Sequence, residues 1–174
     1  MGMYEVRRVR ADEWREAREI RLEALKDTPI GFGEWYEDAL AKSDEVWRER
    51  TRKSAESEAA AMFVAAAADG SRLVGTAGVF APDAAGREYV VYGVYETPDF
   101  RGPGLGTATR LFDTAISWAR LTGGAEVISL EVHENNDRAR AFYRRYGFVE
   151  TGETKPAVLH GPASLIVMRY DRPL

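Results

Sequence analysis

The sequence contains no cysteine, and that single absence excludes disulfides, a thiolate nucleophile and any cysteine-based metal site. Histidine is nearly as scarce. Its two copies, His133 and His160, stand too far apart for a helical ligand pair, and there is no His-Glu-x-x-His run, so no metal is expected. Long apolar runs are also missing: the most apolar stretch, residues 59–68, is about half the length that crosses a bilayer. The charged N-terminus lacks a signal-peptide pattern, which predicts a cytoplasmic protein with no membrane partner. Nor is there an excess of positive charge. With 24 basic residues against 28 acidic ones the net charge is −4, which offers no general attraction to nucleic acid or anionic lipid and sits comfortably with a cationic amine.

What remains is a globular balance, 45% hydrophobic and 30% charged over 174 residues, enough for one core and too little for two ordinary domains. A single domain over residues 1–174 is the expectation.

Tyr4 to Arg10 alternates apolar and polar residues and reads as a strand. Asp12 then offers an N-cap to a helix whose Trp14, Ala17, Ile20 and Ala24 share one face. Residues 28–33 break that helix, and Ser43 caps a second, strongly charged one running through Trp47 toward Lys53. Met62–Val64 and Leu73–Phe80 flank Asp69-Gly70 and predict a hairpin, although the surrounding alanines favour helix. After a turn at Pro82 to Gly86, the run Tyr89–Tyr95 is rich in β-branched and aromatic residues and reads as a long central strand ending at Pro98.

From Gly104 the spacing of Ala108, Leu111, Phe112, Ala115 and Ala119 predicts a helix with one buried stripe, stopped by Gly123-Gly124. Val127–Val132 is the next strand. Ala139, Phe142, Tyr143 and Tyr146 repeat the helical stripe, with Gly147 as its C-terminal stop, and strands follow from Phe148 and over Leu165–Tyr170. Strands interleaved with helices imply an α/β sheet covered by helices.

Arg101-Gly102-Pro103-Gly104-Leu105-Gly106-Thr107 falls between a strand and the start of a helix, where free N–H groups and the helix dipole bind anions. A phosphate cradle and a merely flexible loop are both compatible with such spacing. There is no Gly-Lys-Ser/Thr for a P-loop, and Gly102-x-Gly104-x-Gly106 does not fit the dinucleotide fingerprint.

Arg101-x-x-Gly104-x-Gly106, following the strand-end Pro98, resembles the acyl-CoA pyrophosphate loop of the GNAT superfamily of N-acetyltransferases. Residues 136–148, Asn-Asp-Arg-Ala-Arg-Ala-Phe-Tyr-Arg-Arg-Tyr-Gly-Phe, are similar to that family's Asn-x-x-Ala-x-x-x-Tyr-x-x-x-Gly-Phe helix. Arg21–Asp27 with Phe32-Gly33 resembles the opening helix of many small-molecule members. The likeness spans nearly the whole chain and is sharp between about Val94 and Phe148.

The resemblance implies a mixed, mostly antiparallel α/β sheet of about seven strands flanked by about four helices. It also implies acetyl transfer from acetyl-CoA to a primary amine of a small molecule. Backbone groups of Val94, Tyr95 and Glu96 would hold the pantetheine arm and the thioester oxygen. The Arg101, Gly102, Gly104, Leu105, Gly106 and Thr107 loop would hold the pyrophosphate, and Asn136 the CoA arm. Tyr143 matches the family's general acid. Family members often form dimers through their C-terminal strands, so a homodimer is the expectation for assembly.

Two departures from the family pattern stand out. Pro103 has no N–H and removes one donor from the cradle. Glu96 stands where an aliphatic residue is usual, which makes it the preferred general base, with Glu88 sharing its strand face by alternation unless a bulge intervenes. His133 could serve as a base, although a solvent-facing loop histidine is the preferred reading, and Asp137 is the alternative N-cap if Asn136 turns to CoA. Phe32, Trp35 and Tyr36, with Glu34, Glu37 and Asp38 nearby, supply aromatic and anionic surface on which a cationic amine could rest, or else the aromatics simply seal the core, their commoner use. The alternatives are an acetyltransferase of protein N-termini or lysines, which needs an open groove, and a non-catalytic acyl-CoA sensor, against which Tyr143 and Asn136 count.

Overall fold

The opening strand β1 (Tyr4–Arg8) leads into α1 (Trp14–Asp27), and the computed structural model describes residues 3–85, 87–102 and 104–173. Trp14, Ala17, Ile20 and Ala24 are buried, as their spacing requires, and Leu25 joins them. Asp12 is not the cap expected of it. Glu13 holds the N-cap position without capping, because its carboxylate accepts from Arg7 at 2.8 Å and 2.5 Å and from the Arg10 N–H at 2.8 Å.

The break after α1 contains a 3-10 turn, Pro29–Gly31, and a five-residue helix α2 (Tyr36–Leu40), which makes five α-helices among the described residues where about four were expected. Ser43 caps α3 (Asp44–Glu56) by accepting from the Val46 N–H at 3.5 Å. The alanine-rich segment is strand β2 (Ala60–Ala67), hairpinned across Asp69-Gly70 to β3 (Leu73–Phe80). Alanine's helix propensity is overridden there because β2 lies between two partner strands, with Ala61 and Ala65 fully buried.

The central strand β4 (Glu88–Glu96) is followed by α4 (Thr107–Leu121), β5 (Val127–His133), α5 (Asp137–Tyr146), β6 (Phe148–Pro156) and β7 (Ser164–Tyr170). Two positions in the expected loops, Gly86 and Pro103, lie outside the described residues. Helix α4 begins three residues later than Gly104 because Gly106, at φ 64°, takes a left-handed N-cap conformation that side chains resist. Its buried stripe is Thr107, Leu111, Phe112, Ala115, Ile116 and Ala119, and the expected Ala108 falls off it toward the cleft described below.

The seven strands form one sheet in the order β1-β2-β3-β4-β5-β7-β6, antiparallel except for the β4–β5 pair. Helices α4 and α5 cover one face, over a core of Phe112, Leu111, Leu130, Phe148 and Met168. Helices α1 and α3 cover the other face over the first half of the sheet, around Ile20, Trp47, Val64 and Tyr95.

Two irregularities of β4 create the site. Its ladder with β5 pairs only Glu88–Val91 with Val127–Leu130, so beyond Val91 the two parallel strands diverge. In its ladder with β3, Thr76 opposes Tyr95 and Gly78 opposes Tyr92, one residue more on β4 than on β3. Gly93 absorbs that extra residue at φ 61°, a dihedral for which the missing Cβ is the reason.

Candidate active site

Past the bulge, Thr97 donates its N–H to the Val74 carbonyl of β3 at 2.9 Å. Strand alternation therefore turns the N–H groups of Val94 and Glu96 the other way, toward β5, where the ladder has already ended. They form a pair of main-chain donors in the wedge between two diverging strands, the arrangement that stabilises a developing oxyanion. The bulge also reverses the side-chain faces. Tyr89 and Val91 pack in the core under α4, whereas Tyr95, an even number of residues further on, packs under α1 and α3. Glu88 and Glu96 accordingly lie on opposite faces, and the shared face expected from alternation is corrected. Glu88 accepts from the Ser129 hydroxyl at 2.6 Å, while Oε1 of Glu96 accepts from the Ala108 N–H at 2.8 Å.

Beside the wedge, residues 104–106 lead into α4. Positions 102, 104 and 106 have open space where a Cβ would stand; Gly102 and Gly106 line the cleft and leave room for a ligand against the backbone, whereas the predicted Gly104 and Leu105 do not line it. The N-cap residue Gly106 has no side chain to cap the helix; Glu96 takes the Ala108 N–H, and the Thr107 and Thr109 N–H groups find no acceptor among the described residues. Arg138, Arg145 and Arg172 line the same cleft, as do the carboxylates of Glu88, Glu96, Asp113, Glu131 and Glu153. The free N–H groups at the helix start fit a pyrophosphate. Glu96 is the carboxylate that meets that helix start. Burial pushes its pKa up, although the Ala108 N–H and the charges of Arg138 and Arg101 pull the other way.

Arg101 is tied elsewhere. Its guanidinium forms an ion pair with Asp27 at the end of α1, donates to the Glu96 carbonyl at 2.8 Å and lies 5.2 Å from the Tyr95 ring centre. It thereby anchors the loop to α1, leaving the loop backbone to face the cleft. Asn136 keeps the N-cap of α5, accepting from the Ala139 N–H at 3.3 Å, so Asp137 does not take that position.

Tyr143 is the buried member of the α5 stripe, set among Phe112, Phe142 and Phe148, yet it lines the cleft. Its hydroxyl has no hydrogen-bond partner among the described residues, and burial pushes its pKa well above the usual phenol value. The group is a protonated donor that no neighbour engages.

His133 is not the solvent-facing residue expected. It is 4% exposed at the end of β5, and Nδ1 accepts from the Asn135 N–H at 3.2 Å. That places the proton of the neutral ring on Nε2, which is buried without a partner, so in this state His133 is a donor and not a base.

The acceptor side differs most from expectation. Phe32 lines the cleft and stacks edge-on with Tyr95, but neither Trp35 nor Tyr36 reaches it. The faces proposed for a cationic amine already carry cations of the chain itself, Arg21 over Phe32 at 4.7 Å and Lys26 over Tyr36 at 4.5 Å. Glu34 is likewise engaged by Arg21 at 3.1 Å, Lys42 at 2.6 Å and Arg50 at 3.3 Å. Trp35 packs instead on His160, whose Nε2 lies 3.2 Å from the Phe32 carbonyl and whose ring meets that of His133. The β6–β7 loop thus bridges to the turn after α1. No local signal marks this contact, because its two ends are separated by 128 residues of chain.

Together these groups enclose a cleft of about 1750 Å³ that passes through the wedge from the cradle to the β6–β7 loop. Main-chain donors, an anion cradle and a protonated phenol converge on it, the parts needed to polarise a thioester and protonate a departing thiolate. Among the described residues no group of three or more His, Asp or Glu side chains could hold a metal ion.

The model of the acetyltransferase (GNAT) family matches residues 6–148. The chain is 36% identical over 109 residues to "N-alpha-acetyltransferase RimI" of Mycobacterium tuberculosis (strain ATCC 25618 / H37Rv), a match covering 60% of this chain and 63% of that protein. A GNAT-family acetyltransferase from Streptococcus pneumoniae superposes with a TM-score of 0.80 at 18% identity, over 95% of this chain and 97% of the other. Spermidine N-acetyltransferase from Vibrio cholerae, solved with CoA and spermine, superposes with a TM-score of 0.73 at 18% identity, over 96% and 94%. These two structural likenesses concern the fold.

Proposed function

Because this chain belongs to the GNAT family of acetyltransferases, whose acetyl donor is acetyl-CoA, we propose that it acetylates the primary amine of a small molecule. The observation that carries the reading is the convergence, in one cleft, of the β4 wedge, the glycine cradle and the unengaged hydroxyl of Tyr143. In this reading the Val94 and Glu96 N–H groups donate to the thioester oxygen as the amine attacks its carbon. The Leu105 and Thr107 region holds the pyrophosphate. As the carbon–sulfur bond breaks, Tyr143 gives its proton to the leaving thiolate. The second carboxylate oxygen of Glu96 takes the amine's proton through a water in the cleft, a task suited to a carboxylate whose pKa is raised by burial.

Similarity to an N-alpha-acetyltransferase favours a second acceptor, the amino terminus of a protein. The bridge from His160 to Phe32 and Trp35 argues for the small molecule, since it closes over the acceptor side where a peptide requires an open groove. Two measurements test the reading. Saturating acetyl-CoA should raise the melting temperature, because a ligand bound only by the native state adds about 2.7 kcal/mol at a hundred times its Kd. Thiol release should then follow addition of small amines and not of peptides with free amino termini. A flat melting curve removes the acetyl-CoA assignment, and peptide-selective release moves the activity to the second acceptor.

A further inference from the structure

A second cavity, of about 570 Å³, adjoins the acceptor side of the cleft and shares Arg21, Phe32, Gly33, Tyr92, Gly93 and Leu159 with it. Its charged lining consists of three cations, Arg21, Lys42 and Arg50, against two carboxylates, Glu34 and Asp38, which leaves one positive charge in excess. All three cations converge on Glu34 alone. The Asp38 carboxylate pairs with none of them, Lys42 reaching only its main-chain oxygen at 3.3 Å. Both hydrogen bonds of Arg21 to Glu34 use Nε and Nη2, so its Nη1 end makes none among the described residues. Burial correspondingly pushes the Arg21 pKa down.

The cavity opens beside Gly93, one residue before the proposed oxyanion donor Val94. A polycation would meet repulsion there, whereas a carboxylate would answer both the surplus positive charge and the unengaged Nη1 end of Arg21.

We propose that the acceptor is an amine that also bears a carboxylate, and that this cavity binds the carboxylate through Arg21 and Arg50 while the amine faces the wedge. The inference rests on the proposed acetylation and narrows its substrate class. Its test uses the L-α-amino acids and the ω-amino acids from β-alanine to 6-aminohexanoate, each against its carboxamide, with acetyl-CoA and the full chain. For at least one acid kcat/KM should exceed that of its amide by about 10- to 100-fold, the range for hydrogen bonds to a charged group. Arg50→Gln, at a half-exposed position, should raise KM for that acid about tenfold. It should leave the amides unchanged, whereas a purely structural role would alter acids and amides alike.

Equal turnover of acids and amides overturns the carboxylate site and leaves the acetyltransferase intact. If nothing is acetylated, melting curves with CoA present decide. A shift given by acids, absent with amides and lost in Arg50→Gln, supports the site, and no shift by any acid overturns it. Failure of acetyl-CoA to bind counts against the acetylation alone, because acid-dependent shifts still report on the cavity.

Discussion

Tyr143 illustrates how one side chain serves two demands. Its ring packs at the junction of α4, α5 and β6, while the residue also lines the cleft with a hydroxyl that no described neighbour engages. Tyr143→Phe should keep that ring packing and acetyl-CoA binding, and lower kcat by about 10²–10⁴-fold, the usual cost of losing a positioned proton donor. Turnover within a few-fold of the parent enzyme, under conditions where chemistry limits the rate, would reduce Tyr143 to a packing residue. Glu96 gives a complementary expectation. As a base it must be ionised, and because burial raises its pKa, activity should fall with decreasing pH at values above the ordinary carboxylate pKa of about 4.3. Glu96→Gln should lower kcat and abolish that limb of the profile. If the limb persists in the variant, the amine's proton leaves by another route.

At the scale of elements, the cradle depends on the way β4 ends and α4 begins. Gly104 faces open space between two glycines that line the cleft, so a glutamate there disturbs no packing but brings a side chain and a negative charge beside the proposed phosphate position. Gly104→Glu should abolish the acetyl-CoA-dependent thermal shift while the unliganded melting temperature stays nearly constant. Retained affinity would show the loop to be only a connection. The same junction explains the misplaced helix start. The stripe through Leu111 and Ala115 marks a helix, but the left-handed Gly106 decides where its hydrogen bonding begins.

For the whole molecule, the two faces of the sheet have different chemistry. The loop and helix start proposed to hold phosphate occupy the α4–α5 face, and the charged seam of α1, α2 and α3 lies on the other. Glu34 ties α1 and α3 to the segment that follows α2. Burial alone would raise its pKa, but the hydrogen bond from Lys42 and the charges of Arg21 and Arg50 outweigh it and hold the carboxyl below its ordinary value. A carboxyl lowered in the folded state contributes stability above the unfolded value of about 4.3, and that contribution is lost as pH falls through the folded value. Glu34→Gln should therefore lower the melting temperature at neutral pH and flatten its decline in acid. An unchanged acid limb would show that other carboxylates dominate acid unfolding. No described helix is long and apolar enough to cross a membrane.

Features that depend on neighbours along the chain were legible before the fold. The stripes of α1, α4 and α5, the hairpin at Asp69-Gly70, the long central strand and the glycine-rich loop are all set by periodicity or by turn chemistry within about a dozen residues. The helix that carries Asn136 and Tyr143 was legible for the same reason, since both lie in one contiguous segment. Which charges meet and which faces are open depends on the packing of elements far apart in the chain. Arg101 is drawn to Asp27, Glu34 to three cations, and His160 to Phe32, through contacts whose partners are chosen by the packing of distant elements. The bulge at Gly93 likewise belongs to the pairing of β4 with β3, and it alone put Glu88 and Glu96 on opposite faces. Alternation is a property of one strand, whereas register is a property of two, so the acceptor side of the site had to await the fold.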